Sequence, residues 1–294
     1  MEILHHPVMS REIIASFSET RQNLFVDCTV GMGGHTEHIL RAFPRARVLA
    51  VDTDRESLSK ARVKLAEFCE RIQFHCFNFV DLFENIDFTN LDSSGILIDP
   101  GLSMAQLKDA DRGFSHNLDA PLDMRKDRRT PLTAAEVVNT YSESQLGEIF
   151  RKYGELPHAE RLAKKIIERR LRRTITSTGM LKGLVEDTYG RRVAKGKSHP
   201  AARAFQALRI FVNGELEGIG GFLEKIPRMM NAGLRIAFLT YHSLEDRIVK
   251  QTYRLLKTAG KIEILKPFPA FPREEEIKQN PASRSARLRL AEVL

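Results

Sequence analysis

The sequence predicts an α/β fold, a doubly wound and mostly parallel β-sheet interrupted by a helical insertion. Three observations support this. Apolar runs that end in acidic residues alternate with helical segments through the first hundred residues. Residues 105–216 then carry helical spacing with no clear strand, and strand character returns from residue 234 onwards. Such alternation is typical of parallel sheets covered by helices on both faces.

Four buried parallel strands are predicted in the first part of the chain, at residues 24–27, 48–52, 72–76 and 95–99, with helices at 36–43 and 56–69. A fifth strand, 234–240, follows the insertion. Residues 262–265 and 286–294 are predicted to pair as an antiparallel edge of the sheet. The predicted domains are therefore 1–104 plus 217–294, which form the sheet, and the inserted helical domain 105–216.

The insertion carries the whole basic excess of the chain. It has 22 Lys plus Arg against 14 Asp plus Glu, a net charge of +8, whereas the rest of the chain has 24 of each. A single basic cluster is more often a solvated helix face, but this asymmetry favours binding of nucleic acid. The candidate contacts are Arg112, Arg169, Arg170, Arg172, Arg173, Arg191 and Arg192.

A glycine turn follows the first strand. Asp27 ends the strand, and Gly31, Gly33 and Gly34 lead into the next helix. Glycine permits positive φ and close approach of a ligand, and the helix start presents unpaired N–H groups. A dinucleotide site would need a third glycine at position 36, which is Thr36. The order of acid and glycines instead predicts an S-adenosylmethionine (SAM) site, the alternative being a turn without a ligand.

The second strand ends at Asp52, about 20 residues beyond the glycines, where an acid can bind the hydroxyls of a ribose. The fourth strand runs into Asp99, Pro100 and Gly101. Enzymes that methylate exocyclic amines carry an Asp-Pro-Pro-aromatic or similar element here, because acceptors hold the amine hydrogens. The match is partial, since Leu102 is not aromatic, and an ordinary turn is the alternative.

His242 follows the fifth strand and is a candidate catalytic or base-contacting side chain. A histidine that caps the next helix explains the same position equally well. His35 and His38 lie at helical spacing but without a third ligand nearby, so we expect no metal site.

Composition narrows the class of protein further. No apolar run reaches 18 residues, and the first residues lack the pattern of a signal peptide. We therefore expect a soluble cytoplasmic protein that does not contact membranes. The three cysteines lack both metal-site spacing and an even count, so we expect them to be reduced.

Several segments together resemble the bacterial 16S ribosomal RNA (cytosine(1402)-N4)-methyltransferases. They span nearly the whole chain, at residues 6–9, 27–35, 99–103, 112–114, 121–124, 152–155, 199–210, 212–216, 242–247 and 280–287. This family usually has a leucine after the fourth-strand acid, where this chain has Pro100.

The resemblance implies a Rossmann-like, SAM-dependent methyltransferase fold, with S-adenosylhomocysteine as the product and 16S rRNA, within the small ribosomal subunit, as the partner. It leaves the oligomeric state open. The cofactor contacts that it implies are Gly33, Gly34, His35, Asp52, Phe79, Asp99 and Gln106, to which the residue pattern adds Asp27 and Gly31. Phe114, next to Arg112 and Gly113, is a candidate for stacking on the target base, or else a core residue.

Three other functions remain possible from the sequence alone. A SAM-dependent methylase of DNA or protein would share the cofactor site. A nicotinamide-dependent oxidoreductase would share the sheet, although Thr36 argues against it. A non-catalytic RNA-binding assembly factor would share the basic insertion.

Overall fold

The computed structural model describes residues 7–102, 106–107, 109–190, 199–267 and 269–294. The chain forms two compact units. The sheet unit comprises Met1–Gly101 and Leu216–Leu294, and the helical unit comprises Leu102–Glu215. The bounds predicted for the insertion, 105–216, differ from these by three residues at one end and one at the other.

A seven-stranded sheet forms the centre of the sheet unit. Its strands are β1 (Leu24–Asp27), β2 (Arg47–Val51), β3 (Ile72–His75), β4 (Ser93–Ile98), β5 (Arg235–Thr240), β6 (Ile262–Ile264) and β7 (Arg287–Val293). Their spatial order is β3-β2-β1-β4-β5-β7-β6. All neighbouring strands within the set β1 to β5 run parallel to each other, which confirms the prediction of a mostly parallel sheet.

The two C-terminal strands pair antiparallel, as expected, but their order in the sheet was not foreseen. β7 inserts between β5 and β6, antiparallel to both, so the outermost strand is the short β6. The longer β7 is buried almost throughout. A longer apolar strand removes more surface from water when it lies inside the sheet than at its edge.

Helices cover both faces of the sheet, because alternate residues of each strand point to opposite sides. Phe25 and Leu97 belong to one apolar cluster, and Val26 and Ile98 belong to the other. The first cluster packs against α1 (Ser10–Ser18), α2 (Gly34–Ala42) and α3 (Arg55–Lys64). The second packs against α4 (Leu82–Asn85), α10 (Ile219–Met229) and α11 (Ser243–Thr258). The doubly wound prediction is therefore confirmed.

The helical unit contains α5 (Ala134–Thr140), α6 (Glu143–Lys152), α7 (Ala159–Arg170), α8 (Thr178–Tyr189) and α9 (Pro200–Asn213). Side chains that accept N–H groups define several starts, such as Thr133 and Ser142, which form capping boxes with Glu136 and Gln145. Within its described residues this unit has no strand, only an isolated bridge between Pro121 and Ser177. A short helix, α12 (Glu274–Gln279), precedes β7 in the sheet unit.

One helix ends earlier than predicted. The helix expected at 56–69 ends as an α-helix at Lys64 and continues as a 3₁₀ helix, Ala66–Arg71, with Leu65 at the break. Leu65 is buried, with 1% of its surface exposed. Among all the helices in the described residues, none is long and apolar enough to cross a bilayer.

Candidate active site

The sheet order reverses between β1 and β4, because β2 and β3 extend to one side of β1 while β4 and β5 lie on the other. In open α/β sheets ligands bind beyond the carboxyl ends of the strands at such a point. The side chains that follow β1, β2, β4 and β5 in this chain meet at that edge. They include Asp27, Asp52, Asp99 and His242.

The Asp27 carboxylate stabilises the glycine turn by accepting two hydrogen bonds. It is 1% exposed. The Thr36 hydroxyl donates a hydrogen bond of 2.7 Å to Oδ2, and the Thr29 N–H donates one of 3.2 Å to Oδ1. Thr36, which replaces the third glycine of a dinucleotide site, is therefore needed here as a partner for the strand-end acid. Asp27 is positioned to shape the turn rather than to contact a ligand directly.

Glycine is required at position 33 of the turn. Gly33 has a φ of +83°, and a Cβ there would lie 2.6 Å from Cδ1 of Leu65. Gly31 also has a positive φ of +51°. Gly33 is the N-cap of α2 and offers no side chain to the N–H groups of the helix, which begins at Gly34. The chain passes close to α3 and presents the start of α2 at the sheet edge.

Asp52 follows β2 and is fixed by two backbone donors. The Gly31 N–H donates to Oδ2 at 2.8 Å, and the Asp54 N–H donates to Oδ1 at 2.9 Å. These bonds join the end of β2 to the glycine turn after β1. The acid predicted to bind ribose is thus held beside the turn predicted to bind the rest of the cofactor.

Asp99, after β4, has a buried side-chain oxygen without a hydrogen-bond partner among the described residues. Its backbone N–H donates to Oγ1 of Thr29 at 2.6 Å, and its side chain is 19% exposed. Oδ2 lies 3.5 Å from Nε2 of His35, too long and poorly directed for a good hydrogen bond. Among the described residues neither Oδ1 of Asp99 nor Nε2 of His35 has a hydrogen-bond partner. Buried polar atoms without partners are costly, so this pair marks a place for a polar ligand.

His242 caps α11. Its Nδ1 accepts the Glu245 N–H at 3.4 Å, and Nε2 lies 2.9 Å from Oε1 of Glu245 but is not aligned for a hydrogen bond. Glu245 is 1% exposed, and its Oε2 accepts the Tyr241 N–H at 2.9 Å. The placement favours the capping alternative over a catalytic role for this histidine.

Two implied cofactor contacts lie outside these strand ends. Phe79 begins a 3₁₀ helix capped by Asn78, and its ring packs edge-on against Phe222 at 5.1 Å between centroids. Gln106 is partly buried and belongs to the helical unit. Pro100 is buried directly after Asp99.

The candidate RNA contacts fall into two groups. Arg112 is 2% exposed and donates to the carbonyls of Arg125 and Lys126, and Phe114 is 7% exposed, so both lie in the interior of the helical unit. Arg170 donates to the carbonyls of Val138 and Tyr141 at the end of α5. The more accessible candidates are Arg169, which is partly buried, and Arg172 and Arg173, which are exposed. Arg191 and Arg192 lie outside the described residues.

Comparison with known proteins identifies the family. The model of the MraW methylase family matches residues 2–294. The chain belongs to the MraW methylase family. Proteins named ribosomal RNA small subunit methyltransferase H are similar to it over nearly all of both chains. The example from a Cyanothece species is 44% identical over 100% of this chain and 96% of its own, and that from Persephonella marina is 41% identical over 98% of each.

A solved rRNA methylase from Streptococcus thermophilus aligns with 99% of this chain and 98% of its own, at 12% identity and a TM-score of 0.42. That likeness is below the level at which a shared fold is inferred. The fold assignment rests on the strand order of this methylase itself. As a member of the family the chain is a SAM-dependent methyltransferase, which excludes the oxidoreductase and the non-catalytic alternatives.

The site of this methylase fits SAM. The Asp52 carboxylate, held by the N–H groups of Gly31 and Asp54, lies where it can accept hydrogen bonds from ribose hydroxyls, and Gly33 leaves no room for a Cβ at the turn beside it. The turn at Gly33 leaves the start of α2 without a side-chain cap. When bound, SAM supplies an activated methyl group on a good leaving group. The residues of the methylase have to hold it, exclude water and align the acceptor.

Burial raises the pKa of Asp27 in this methylase to about 6, with the nearby Asp99 charge adding to the effect. The His35 side chain and the bonds from Thr36 and Thr29 oppose the shift but do not cancel it. An Asp in an unfolded chain has a pKa near ~3.9. Between these two values the folded state binds more protons than the unfolded state, so stability falls as pH rises.

Asp27→Asn should therefore be more stable than the wild type at pH 8, by on the order of 3 kcal/mol, and should lose that advantage at pH 3.5. The amide keeps the shape of the side chain, and the Thr36 hydroxyl can rotate to suit it. Urea unfolding of both proteins at several pH values measures the difference. A difference that does not change between pH 3.5 and pH 8 would show that Asp27 has an ordinary pKa.

Proposed function

We propose that this methylase transfers the methyl group of SAM to the exocyclic N4 of cytosine 1402 in 16S rRNA, within the small ribosomal subunit in the cytoplasm. The observation that carries the proposal is the Asp99 carboxylate, whose buried Oδ1 has no hydrogen-bond partner among the described residues. The printed names of the full-length relatives, ribosomal RNA small subunit methyltransferase H, support the choice of RNA.

Asp99 would act on the amine of the cytosine. A carboxylate oxygen accepts one N4 hydrogen, which fixes the amine in the pocket and stabilises the positive charge that develops on nitrogen. The carbonyl of Pro100, next in the chain, is the second candidate acceptor. The N4 lone pair forms the bond to the methyl carbon while the carbon–sulfur bond breaks, and N4 then releases a proton.

Alignment supplies most of the rate in such a reaction, because the acceptor is a neutral nitrogen and the leaving group is good. Correct positioning of reacting atoms can lower a barrier by roughly 7 to 11 kcal/mol. The placement of Asp99 and Asp52 suits this task, because the Asp99 N–H donates to the Thr29 hydroxyl and the Asp52 carboxylate accepts the Gly31 N–H. We assign the methyl-donor contacts to Gly33, Gly34, His35, Asp52 and Phe79, with Gln106 added on the family resemblance.

The helical unit would bind RNA through its exposed arginines. Arg172 and Arg173 are exposed at the end of α7, next to Leu171, which is 81% exposed. Arg169 lies one turn earlier, and Arg191 and Arg192 are further candidates from the sequence. Arginines in such an array neutralise phosphates and release counterions. Arg112 and Phe114 would act indirectly, by supporting the loop in which they are buried.

Replacing both Arg172 and Arg173 by Ala should weaken RNA binding most at low salt, with little change in kcat. The slope of log affinity against log salt concentration should fall in magnitude by about 1.4 to 1.8, since each of the two lost phosphate contacts removes roughly 0.7 to 0.9. Filter binding of 16S rRNA fragments from 50 to 300 mM KCl measures it. Arg45→Ala with Arg47→Ala, two exposed arginines at the start of β2, is the matched control and should leave the slope unchanged.

A transfer assay tests the substrate. SAM with a labelled methyl group is mixed with the methylase and with small subunits from a strain lacking the enzyme, naked 16S rRNA, or DNA. We expect label in 16S rRNA, and more from assembled subunits than from naked RNA. Label in DNA or in ribosomal protein, with none in 16S rRNA, would refute the proposed substrate.

A further inference from the structure

Tyr241 lies directly after β5, the neighbour of β4 in the sheet. Its ring is partly buried and packs against the apolar cluster beneath α1 and α2. The edge of the ring approaches the turn after β4: a Cβ on Gly101 would lie 3.0 Å from Cε2 and 3.3 Å from Cδ2 of Tyr241. The absence of a side chain at Gly101 lets the aromatic ring lie against the Asp99-Pro100-Gly101 turn.

Hydrogen bonds restrain both the side chain and the backbone of Tyr241. Its hydroxyl donates a hydrogen bond to the carboxylate of Asp99, and its backbone N–H donates to Oε2 of Glu245 at 2.9 Å. Burial and the charges of Asp99, Glu245 and Glu276 raise the pKa of Tyr241 well above its usual value. The hydroxyl therefore remains protonated, and remains a donor, at neutral pH.

The Asp99 carboxylate has little else to fix its rotation. Its backbone is anchored at Thr29, but its Oδ2 is 3.5 Å from Nε2 of His35 and its Oδ1 has no hydrogen-bond partner among the described residues. A hydrogen bond to an ionised acceptor is shorter and stronger than one between neutral groups. The hydrogen bond from Tyr241 therefore restrains this carboxylate.

We infer that Tyr241 is a positioning residue for methyl transfer, which holds the Asp99 carboxylate so that one oxygen is left for the amine. The inference rests on the proposed role of Asp99. It also explains why Leu102 is not aromatic. Amine-methylating enzymes place an aromatic residue after the strand-end acid, whereas in this chain the ring at the turn comes from the end of the next strand.

Tyr241→Phe removes the hydroxyl and keeps the ring on Gly101. We expect kcat for 16S rRNA to fall by about ten- to a hundredfold, the range for loss of a hydrogen bond to a charged group. The KM for SAM and the melting temperature should stay near wild type. Tyr189→Phe, which removes the hydroxyl of a partly buried tyrosine in α8, is the matched control and should leave kcat unchanged.

A double-mutant cycle separates positioning from a structural role. In an Asp99→Asn background, single-turnover rates should show no further loss when Tyr241→Phe is added, because the carboxylate that it restrains is gone. A wild-type kcat for Tyr241→Phe, or an equal loss in both backgrounds, would overturn the inference. Failure of the wild type to methylate 16S rRNA would instead refute the proposed function.

Discussion

Asp99→Asn should lower kcat for methylation of 16S rRNA by roughly 100- to 1000-fold, the usual cost of removing one preorganised partner of a developing charge. The amide keeps the shape of the side chain, but it loses the negative charge and directs an NH₂ group or a single carbonyl oxygen at the amine. The buried Oδ1, which has no hydrogen-bond partner among the described residues, is the atom whose loss we hold responsible. Single-turnover rates with labelled SAM measure the effect.

Binding separates this effect from damage to the cofactor site. The affinity for SAM, measured by calorimetry, should change by less than threefold, because the ribose acid Asp52 and the turn at Gly33 are untouched. Asp92→Asn, which alters an exposed carboxylate just before β4, should leave kcat unchanged. If Asp99→Asn kept a kcat within threefold of the wild type, Asp99 would not orient the amine.

Gly33→Val should destabilise the protein by roughly 3 to 5 kcal/mol. This cost combines a strained backbone, about 1 to 3 kcal/mol, with overpacking of similar size. A β-branched side chain rarely adopts a φ of +83°. Its Cβ would also overlap the side chain of Leu65, which is 1% exposed. Because the start of α2 must shift, we also expect SAM affinity to fall at least a hundredfold in the fraction that folds.

Gly221→Val in α10 is the control for the Gly33 variant. A Cβ at Gly221 would meet no heavy atom of the described residues within 4 Å, and the backbone there has no positive φ. This change should therefore alter neither stability nor SAM affinity appreciably. Urea unfolding and calorimetry report the two quantities. Equal effects of the two substitutions would mean that the glycine turn does not shape the cofactor site.

The sheet could be predicted because its strands are short apolar runs that end in acids. Burial on both faces requires such runs, and the carboxyl ends of parallel strands meet at one edge. The sequence alone therefore predicts that Asp27, Asp52 and Asp99 lie at the same edge of the sheet. The position of β7 could not be read in this way, since pairing between residues 287–293 and 235–240 depends on contacts across the chain.

Side-chain roles were harder to predict than positions. Arg112 was predicted to contact RNA, but it is 2% exposed and donates hydrogen bonds to the carbonyls of Arg125 and Lys126. His242 lies between a strand and a helix. A histidine that caps the helix and a catalytic histidine would both occupy this sequence position, so the sequence does not distinguish the two roles. Tyr241 was missed, although two signals were present: an aromatic residue at a strand end, and a non-aromatic Leu102 where an aromatic was expected.

The proposed function depends above all on the atom that receives the methyl group, N4 of cytosine 1402. Mass spectrometry can locate that group in nuclease fragments of 16S rRNA from small subunits that lacked the modification, after incubation with SAM and the protein. We expect a single added methyl group, recovered as N4-methylcytidine, in the fragment that contains position 1402, and far less of it after the same incubation with Asp99→Asn. A methyl group at another nucleotide, or on C5 or the ribose of cytosine 1402, would contradict the proposal.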